Sequence, residues 1–509
     1  MTDCDVLLIE DLGQQRLPAR SMAAVVRQAG LTAQVAHFGV GDDVQHVVAL
    51  ARRAQPRLIV LSILFAHLVA ENLALAGRLR AAGATAHLTM AGPLPSMAYA
   101  ELLAACPALD SVLRGDAQAS LTQLAAGLRD GGDWQATPGL AYRSPAVTAN
   151  PLAPPPDLDA LPYPARDEGI PDRRGFGFAT VEGSRGCYHA CAFCLPCACY
   201  RASPGPAYRL RSVAHLSDEV EALVRRGVRL FLFDDEQFLP PAGRREERVA
   251  ELAGQLRRRG LDIAFTIKCR PDDVEEDLFR QLKAMGLIRV YVGVESGCQA
   301  SLDALGKGLS AERNARALAW LDELGVVADF RCLLFHPWST LDTIAADLEF
   351  LERVLAHTPT PFTFHEVECY PGTPLAARLQ AGCNAPDSPS FDRDWRLAYT
   401  IGNPPAELLR RLGRLVFGAR QAPGGSLDRM AGAWYAVLMQ RRFGPRDAAQ
   451  DRAAALRDRV VRLNGEALAV WRDMVAFAGQ GNIYDARLVN ERAAAWAGRA
   501  GAVDVEVSI

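Results

Sequence analysis

The sequence predicts an α/β protein of three parts: a doubly wound parallel sheet, a partial (β/α)6 barrel and a C-terminal helical region. Three observations carry this. Strand and helix signals alternate over residues 1 to about 130, and again from about 175 to 375. A proline-rich stretch separates the two series. Strand signals then cease from about residue 385 onward. Repeated βαβ order predicts parallel sheets with ligands at the carboxyl ends of the strands.

In the first series, residues 6–9 are a short apolar run, 17–29 have helical spacing, 33–38 are strand-like and 44–54 helical. Residues 58–64 form a continuous β-rich run, as expected for a strand buried on both faces. A helical pattern over 70–82 follows, then strands at 87–91 and 112–113 and a closing helix over 118–128. The prolines of 150–156, with Pro162 and Pro164, favour an extended linker. The divisions are therefore a first domain at 1–140, a linker at 141–175, a barrel at 176–384 and a helical domain at 385–509. Six barrel strands are expected at 179–182, 230–233, 263–267, 290–294, 327–334 and 362–368, with helices between them. Their C-terminal ends are where barrel chemistry sits. Helical patterns at 406–420, 426–442, 447–478 and 484–498 complete the chain.

Half of the 509 residues are hydrophobic and 23% are charged, a globular balance. The net charge of −3 offers no basic field for nucleic acid. The N-terminus is acidic where a signal peptide would be basic. No stretch reaches the roughly 18 to 20 apolar residues that span a bilayer. A cytoplasmic protein with neither a membrane nor a nucleic-acid partner is expected. Its twelve cysteines then read as metal ligands, reactive thiols or small core residues rather than disulfides. Five of them crowd into Cys187, Cys191, Cys194, Cys197 and Cys199.

The segment Gly183-Ser184-Arg185-Gly186-Cys187-Tyr188-His189-Ala190-Cys191-Ala192-Phe193-Cys194 follows the first barrel strand, at the catalytic end. Three thiolates spaced C-x3-C-x2-C can wrap a compact soft metal centre. On a four-iron cluster they leave one iron open for a small chelating ligand. A zinc site completed by Cys197, Cys199 or His189 is the alternative.

This segment resembles the cluster motif of the radical S-adenosylmethionine superfamily, and Phe193 before the last cysteine fits that pattern. The resemblance covers roughly residues 175 to 375. It implies a [4Fe–4S] cluster on Cys187, Cys191 and Cys194, with S-adenosylmethionine on the open iron. It places Asp234, Asp235 and Glu236 near the methionine amino group and Glu295 on the ribose hydroxyls, with Ser296 a further cofactor contact. Tyr370-Pro371-Gly372-Thr373-Pro374 closes the sixth strand as in relatives. Taken as bare residues, these carboxylates also read as acidic turns, helix caps or charge partners of arginines. Arg209, Arg211, Lys268, Arg270 and Arg331 read either as anion contacts or as salt-bridge partners of those carboxylates. Cys197 and Cys199 read as small core residues, with a substrate- or cobalt-facing thiol as the alternative.

The first domain resembles the Rossmann-like cobalamin-binding module of cobalamin-dependent radical enzymes. Leu61-Ser62-Ile63-Leu64, Ala91-Gly92-Pro93 and Arg114-Gly115-Asp116 carry this resemblance. It implies cobalamin contacts at Ser62, Leu64, Gly92 and Gly115. Ser62 would hydrogen-bond the nucleotide tail or the lower base, and Gly92 would let the flat corrin or its tail approach the backbone. The loop Glu10-Asp11-Leu12-Gly13-Gln14-Gln15-Arg16 contains no histidine, so it offers cobalt no imidazole. His37, His46 and His67 read as surface or helix residues. A degenerate domain that only packs on the barrel is the alternative.

The combined resemblance implies methylation of an unactivated carbon in a small metabolite or peptide, through methylcobalamin and a 5′-deoxyadenosyl radical. Cyclisation, ring rearrangement or oxidation without methyl transfer is the second reading, and a cofactor sensor the third. An external electron donor such as flavodoxin or ferredoxin is expected. Methylthio transfer lacks its second cysteine set. His336 and Trp338, beyond the fifth strand, read as packing residues. The region with Trp395, Trp434, Trp471 and Trp496 is expected to cover the barrel.

Overall fold

The computed structural model describes residues 4–507 apart from 12–15, 174, 357, 359, 363, 383–390, 422–424, 445 and 482–484. The apolar runs of the first series become the parallel strands β1 (Val6–Glu10), β2 (Ala33–His37), β3 (Leu58–Ser62), β4 (His87–Ala91) and β5 (Ser111–Leu113). β1 and β3 are buried along their whole length, as strands covered on both faces must be. The sheet runs β2-β1-β3-β4-β5, so the winding reverses between β1 and β3. That reversal opens a crevice beyond the last residues of those strands, Glu10 and Ser62.

The sheet continues where a linker was expected. β6 (Leu140–Ser144) pairs antiparallel with β5, and β7 (Ala146–Ala149) pairs antiparallel with β6. β7 is exposed throughout, so this hairpin is held by its backbone ladder and leaves no apolar alternation to read. The linker expected at 141–175 is corrected accordingly: its first nine residues, 141–149, belong to the sheet.

Next come β8 (Gly177–Val181) and the short antiparallel pair β9 (Ser184–Gly186) and β10 (Tyr208–Leu210). The barrel continues with β11 (Val228–Phe233), β12 (Ala264–Cys269), β13 (Leu287–Glu295), β14 (Val327–Phe335) and β15 (Phe364–Glu366). These form one parallel sheet in the order β15-β14-β13-β12-β11-β8, a half-barrel. Its outer face packs under helices such as Val213–Arg225 and Ala311–Glu323.

Helices Pro404–Gln421, Ser426–Phe443, Arg446–Gly479 and Ala486–Val507 make up the C-terminal region. The division expected between residues 384 and 385 lies outside the described residues. Met430 and Trp434 pack in one core cluster with Phe178, Leu230 and Ala264, closing the N-terminal end of the half-barrel. Fully buried Trp471 meets Phe335, Phe364 and Phe417, with ring centroids 5.8, 5.0 and 5.5 Å away. His336 and Trp338 pack as expected. His336 meets Ser301 Oγ at 3.1 Å, and Trp338 lies under the Arg378 guanidinium. No helix among the described residues is long and apolar enough to cross a membrane.

Candidate functional site

The cysteine loop is held by glycine at its start. Gly186 has φ 84°, and a Cβ there would lie 2.0 Å from the Ala207 carbonyl oxygen. Cys187 follows it, and Cys194 is the N-cap of the helix Leu195–Ala202. A helix N-terminus favours a thiolate. Arg270 Nη1 donates to Cys191 Sγ at 3.4 Å. Soft donors gathered on one loop, with a guanidinium on one of them, fit an anionic iron–sulfur cluster. Cys197 is buried and lines the same cavity as the three cysteines. Cys199 points elsewhere, into the cleft described below.

A cavity inside the half-barrel is lined by the three cysteines together with Glu236, Lys268, Glu295, Lys307 and Arg331. Glu295 has φ 64°, a left-handed backbone that a glutamate rarely adopts. The β13–β14 register slips between Val292 and Glu295, so the strand breaks at this carboxylate. Lys307 Nζ stands 3.0 Å from Glu295 Oε1. Gly293 leaves room for the pair, since a Cβ would approach Lys307 Nζ to 2.8 Å.

Buried Asp347 braces the turn after Glu295. Its Oδ1 accepts from Ser296 Oγ at 2.6 Å and from the amides of Gly297 and Cys298 at 2.6 and 3.1 Å. Burial raises the Asp347 carboxyl to about 6, against those hydrogen bonds. Asn314 adds donors to the carbonyls of Val294 and Ser296. Ser296 is therefore a brace and does not face the cavity, which corrects its expected place among the cofactor contacts.

The acidic triplet divides. Asp234 Oδ1 pairs with Lys268 Nζ at 2.5 Å. Asp235 is fully buried and accepts from the Gly183 amide at 3.1 Å. Burial pushes its carboxyl up to about 7. It pins the loop leading to the cysteines and is not on the cavity wall, a second correction. Glu236 accepts from the Gly186 amide at 3.0 Å and lines both this cavity and the next.

The second cavity is a cleft between the first sheet and the half-barrel. Ser62, Leu64, Gly92 and Gly115 line one wall, at the strand ends where they were expected. Asp234, Glu236, Cys199 and Tyr200 line the other. It lies at the strand ends of a doubly wound sheet, the place where such a domain meets its ligand. Two expected roles change. Ser62 Oγ donates to Glu10 Oε1 at 2.8 Å, so its proton is committed inside the domain. Gly92 (φ 134°) is required by β3, since a Cβ would lie 1.9 Å from the Ile63 carbonyl oxygen. Glu10 Oε2 accepts from the Ala19 amide at 3.0 Å, and burial raises its carboxyl to about 7.

Charge ties the two walls together. Asp116, beside β5, accepts from Arg185 Nη1 at 3.0 Å and Arg209 Nη2 at 2.7 Å. Of the five cations weighed from sequence, four are paired. Arg209 meets Asp116, Arg211 meets Glu219 at 2.6 Å, Lys268 meets Asp234, and Arg270 meets Asp272 at 3.0 Å. Arg331 makes no ion pair or hydrogen bond among the described residues, and it lines the barrel cavity and a third chamber beyond it. His37, His46 and His67 are exposed, as expected, or partly so. Leu12, Gly13, Gln14 and Gln15 of the histidine-free loop lie outside the described residues.

Sequence reasoning passed over Lys307, Glu10 and Asp347. Lys307 had a usable signal: the chain has only three lysines, and two of them, Lys268 and Lys307, line the barrel cavity. Glu10 and Asp347 have partners 52 and 51 residues away, which no local pattern marks.

Residues 181–350 match the radical SAM superfamily and residues 14–125 match the B12 binding domain. An uncharacterized methyltransferase of Pyrococcus horikoshii is 26% identical over 294 residues, 57% of this chain and 62% of that relative. An anaerobic magnesium-protoporphyrin IX monomethyl ester cyclase of Rubrivivax gelatinosus is 27% identical over 288 residues, 52% of this chain and 50% of the relative. The matched part of the chain thus spans half to three-fifths of these curated relatives. The fold resembles that of the cobalamin-dependent S-adenosylmethionine radical enzyme OxsB with aqua-cobalamin bound. The TM-score is 0.71 at 18% identity, covering 98% of this chain and 84% of that one. The chain thus carries a B12-binding domain followed by a radical SAM domain, the pairing found in cobalamin-binding radical S-adenosylmethionine enzymes, and its cofactors are a [4Fe–4S] cluster, S-adenosylmethionine and cobalamin.

Proposed function

We propose that the chain methylates an unactivated carbon of a small metabolite or peptide. The observation that carries this is the meeting of two cavities at Glu236. One is lined by the three cysteines, the other by the strand ends of the first sheet. Bound there, the cluster with S-adenosylmethionine supplies a carbon-centred radical, and cobalamin supplies a methyl carrier.

The chain's own residues supply position. Cys187, Cys191 and Cys194 hold the cluster and leave one iron free. Glu295, fixed by its own strained backbone and by Lys307, accepts from the ribose diol. Glu236, with Asp234 nearby, faces the methionine amino group. The first domain, with its added hairpin, presents Leu64, Gly92 and Gly115 to the corrin, and Ser62 receives an amide donor. It offers lone pairs outward because its proton goes to Glu10. The helix Pro404–Gln421 supplies Arg410, Arg414, Gly418 and Gln421 to the third chamber. That wall limits solvent at the reacting end. An external one-electron donor, such as flavodoxin or ferredoxin, completes the system.

A second reading, ring closure or rearrangement without methyl transfer, is favoured by the relative named a cyclase. Turnover with methyl-deuterated S-adenosylmethionine separates the two. Methylation is supported by a deuterated methyl in product alongside 5′-deoxyadenosine. 5′-Deoxyadenosine formed with a product lacking the label would sink it in favour of the second reading.

A further inference from the structure

The third chamber runs from Phe193 and Cys194, beside the cluster loop, to the helix Pro404–Gln421. A molecule seated there has one end at the radical source and the other under the C-terminal helices. Glu295, Glu366, Glu368 and Asp392 line it. So do Arg331, Arg396, Arg410 and Arg414.

Seven of these eight charges are matched. Glu295 pairs with Lys307. Glu366 pairs with Arg410 at 3.5 Å and, more closely, with Arg414. Arg396 serves both Glu368 and Asp392 at 2.9 Å. Arg331 is left over among the described residues. Its neighbour Asp329, two residues earlier on the same strand face, makes its ion pair with Arg289 and meets the Arg331 charge only at longer range.

Arg331 is exposed to the chamber although its strand is otherwise mostly buried. His365, on the adjacent strand, lines the same wall. Burial and the Arg331 charge lower its imidazole to about 3, so it stays neutral and keeps one N–H donor. A guanidinium with no carboxylate in direct contact, beside a neutral donor, is a receptor for a carboxylate or phosphate.

We propose that Arg331, with His365 beside it, anchors an anionic group of the substrate, a carboxylate or a phosphate. The proposal rests on the enzymatic reading of the same cavity. It narrows the substrate to a molecule with that anion at one end and the reacting carbon toward Cys194 and Glu295.

The test uses the reconstituted holoenzyme with S-adenosylmethionine bound, so the open iron is occupied. The probes are inorganic phosphate, followed by 31P resonance, and carbon-13 acetate, followed by 13C resonance. Each is read for line broadening by paramagnetic cob(II)alamin, with the cluster left oxidised so that S-adenosylmethionine stays intact. Anions on distant surface arginines escape that broadening. At least one probe should broaden, and which one responds separates a phosphoryl from a carboxylate substrate. Arg331→Gln should weaken that binding about tenfold, the loss of one charged hydrogen bond, while Arg331→Lys keeps part of it. Affinity for S-adenosylmethionine should be unchanged in both variants.

Absence of broadening in the unmodified enzyme, or equal broadening in Arg331→Gln, would overturn the proposal. So would an S-adenosylmethionine affinity lowered about tenfold in Arg331→Gln, because the guanidinium would then serve the cofactor's carboxylate. The functional reading is tested separately by 5′-deoxyadenosine formation under reduction. A chain that broadens the probe without forming it keeps the anion site and loses the enzymatic reading.

Discussion

Glu295 and Lys307 form a mostly buried ion pair, 3.0 Å apart, at the point where the fourth barrel strand breaks. The two side chains are 16% and 4% exposed. Removing one member leaves the other charge in a site built to screen it. Lys307→Met should lower stability by about 3 kcal/mol. It should also weaken S-adenosylmethionine binding, because the carboxylate loses its fixed orientation. Urea unfolding and calorimetric titration of the variant read both effects. A variant as stable as the parent and binding as well would show the pair to be ornamental.

Asp116 joins the B12-binding sheet to the half-barrel through Arg185 and Arg209, and all three side chains are nearly buried. Asp116→Ala leaves Arg209 without its anion and Arg185 with Glu182 alone. A loss of about 3 to 5 kcal/mol is expected. The cleft beside them should also loosen its hold on cobalamin. Corrin absorbance retained after gel filtration measures the second effect directly. Full retention, together with parental thermal stability, would mean that the domains are held by their apolar contacts alone.

The elements most legible in sequence were those set by local pattern. The six barrel strands follow from apolar runs buried by period. The cysteine triad follows from spacing, because a loop that wraps a cluster has to present its ligands within a few residues. The cleft residues Ser62, Gly92 and Gly115 also fall where a doubly wound sheet puts its strand ends. What stayed hidden depends on partners far away in sequence. Ser62 was expected to meet a ligand, and its proton goes to Glu10. Ser296 was expected among the cofactor contacts, and it is held by Asp347. Asp235 reads like its neighbours Asp234 and Glu236, yet alternation along an extended turn sends it to Gly183. The β6–β7 hairpin carries no hydrophobic signal because its last strand is exposed on both faces.

Glu10 makes stability depend on pH with a definite sign. Burial raises its carboxyl from 4.5 to about 7. Between those values the folded chain binds more protons than the unfolded chain, so this residue's contribution falls as pH rises and is fully lost above pH 7. The span corresponds to about 3 kcal/mol. Glu10→Gln keeps the shape and cannot ionise. Its stability relative to the parent should therefore rise steadily from pH 5 to pH 8. Chemical denaturation of both chains across that range is the measurement, and a difference that stays flat with pH refutes the assignment.

Arg270 reaches the cluster loop from the end of the third barrel strand. Its Nη1 donates to Cys191 Sγ at 3.4 Å and its Nη2 to the Lys307 carbonyl at 2.7 Å. A cation hydrogen-bonded to a ligand sulfur stabilises the extra negative charge of the reduced cluster, so it raises the reduction potential. Arg270→Gln keeps a donor and removes the charge. Its cluster should be harder to reduce, with a midpoint lowered on the order of 60 mV, a tenfold change for one electron. A redox titration followed by electron paramagnetic resonance reads this without any substrate. Iron content should stay at the parental level, because all three cysteines remain. An unchanged potential would leave Arg270 with only a bracing role between the cysteine loop and Lys307. A loss of iron would mean that the guanidinium is needed to assemble the site.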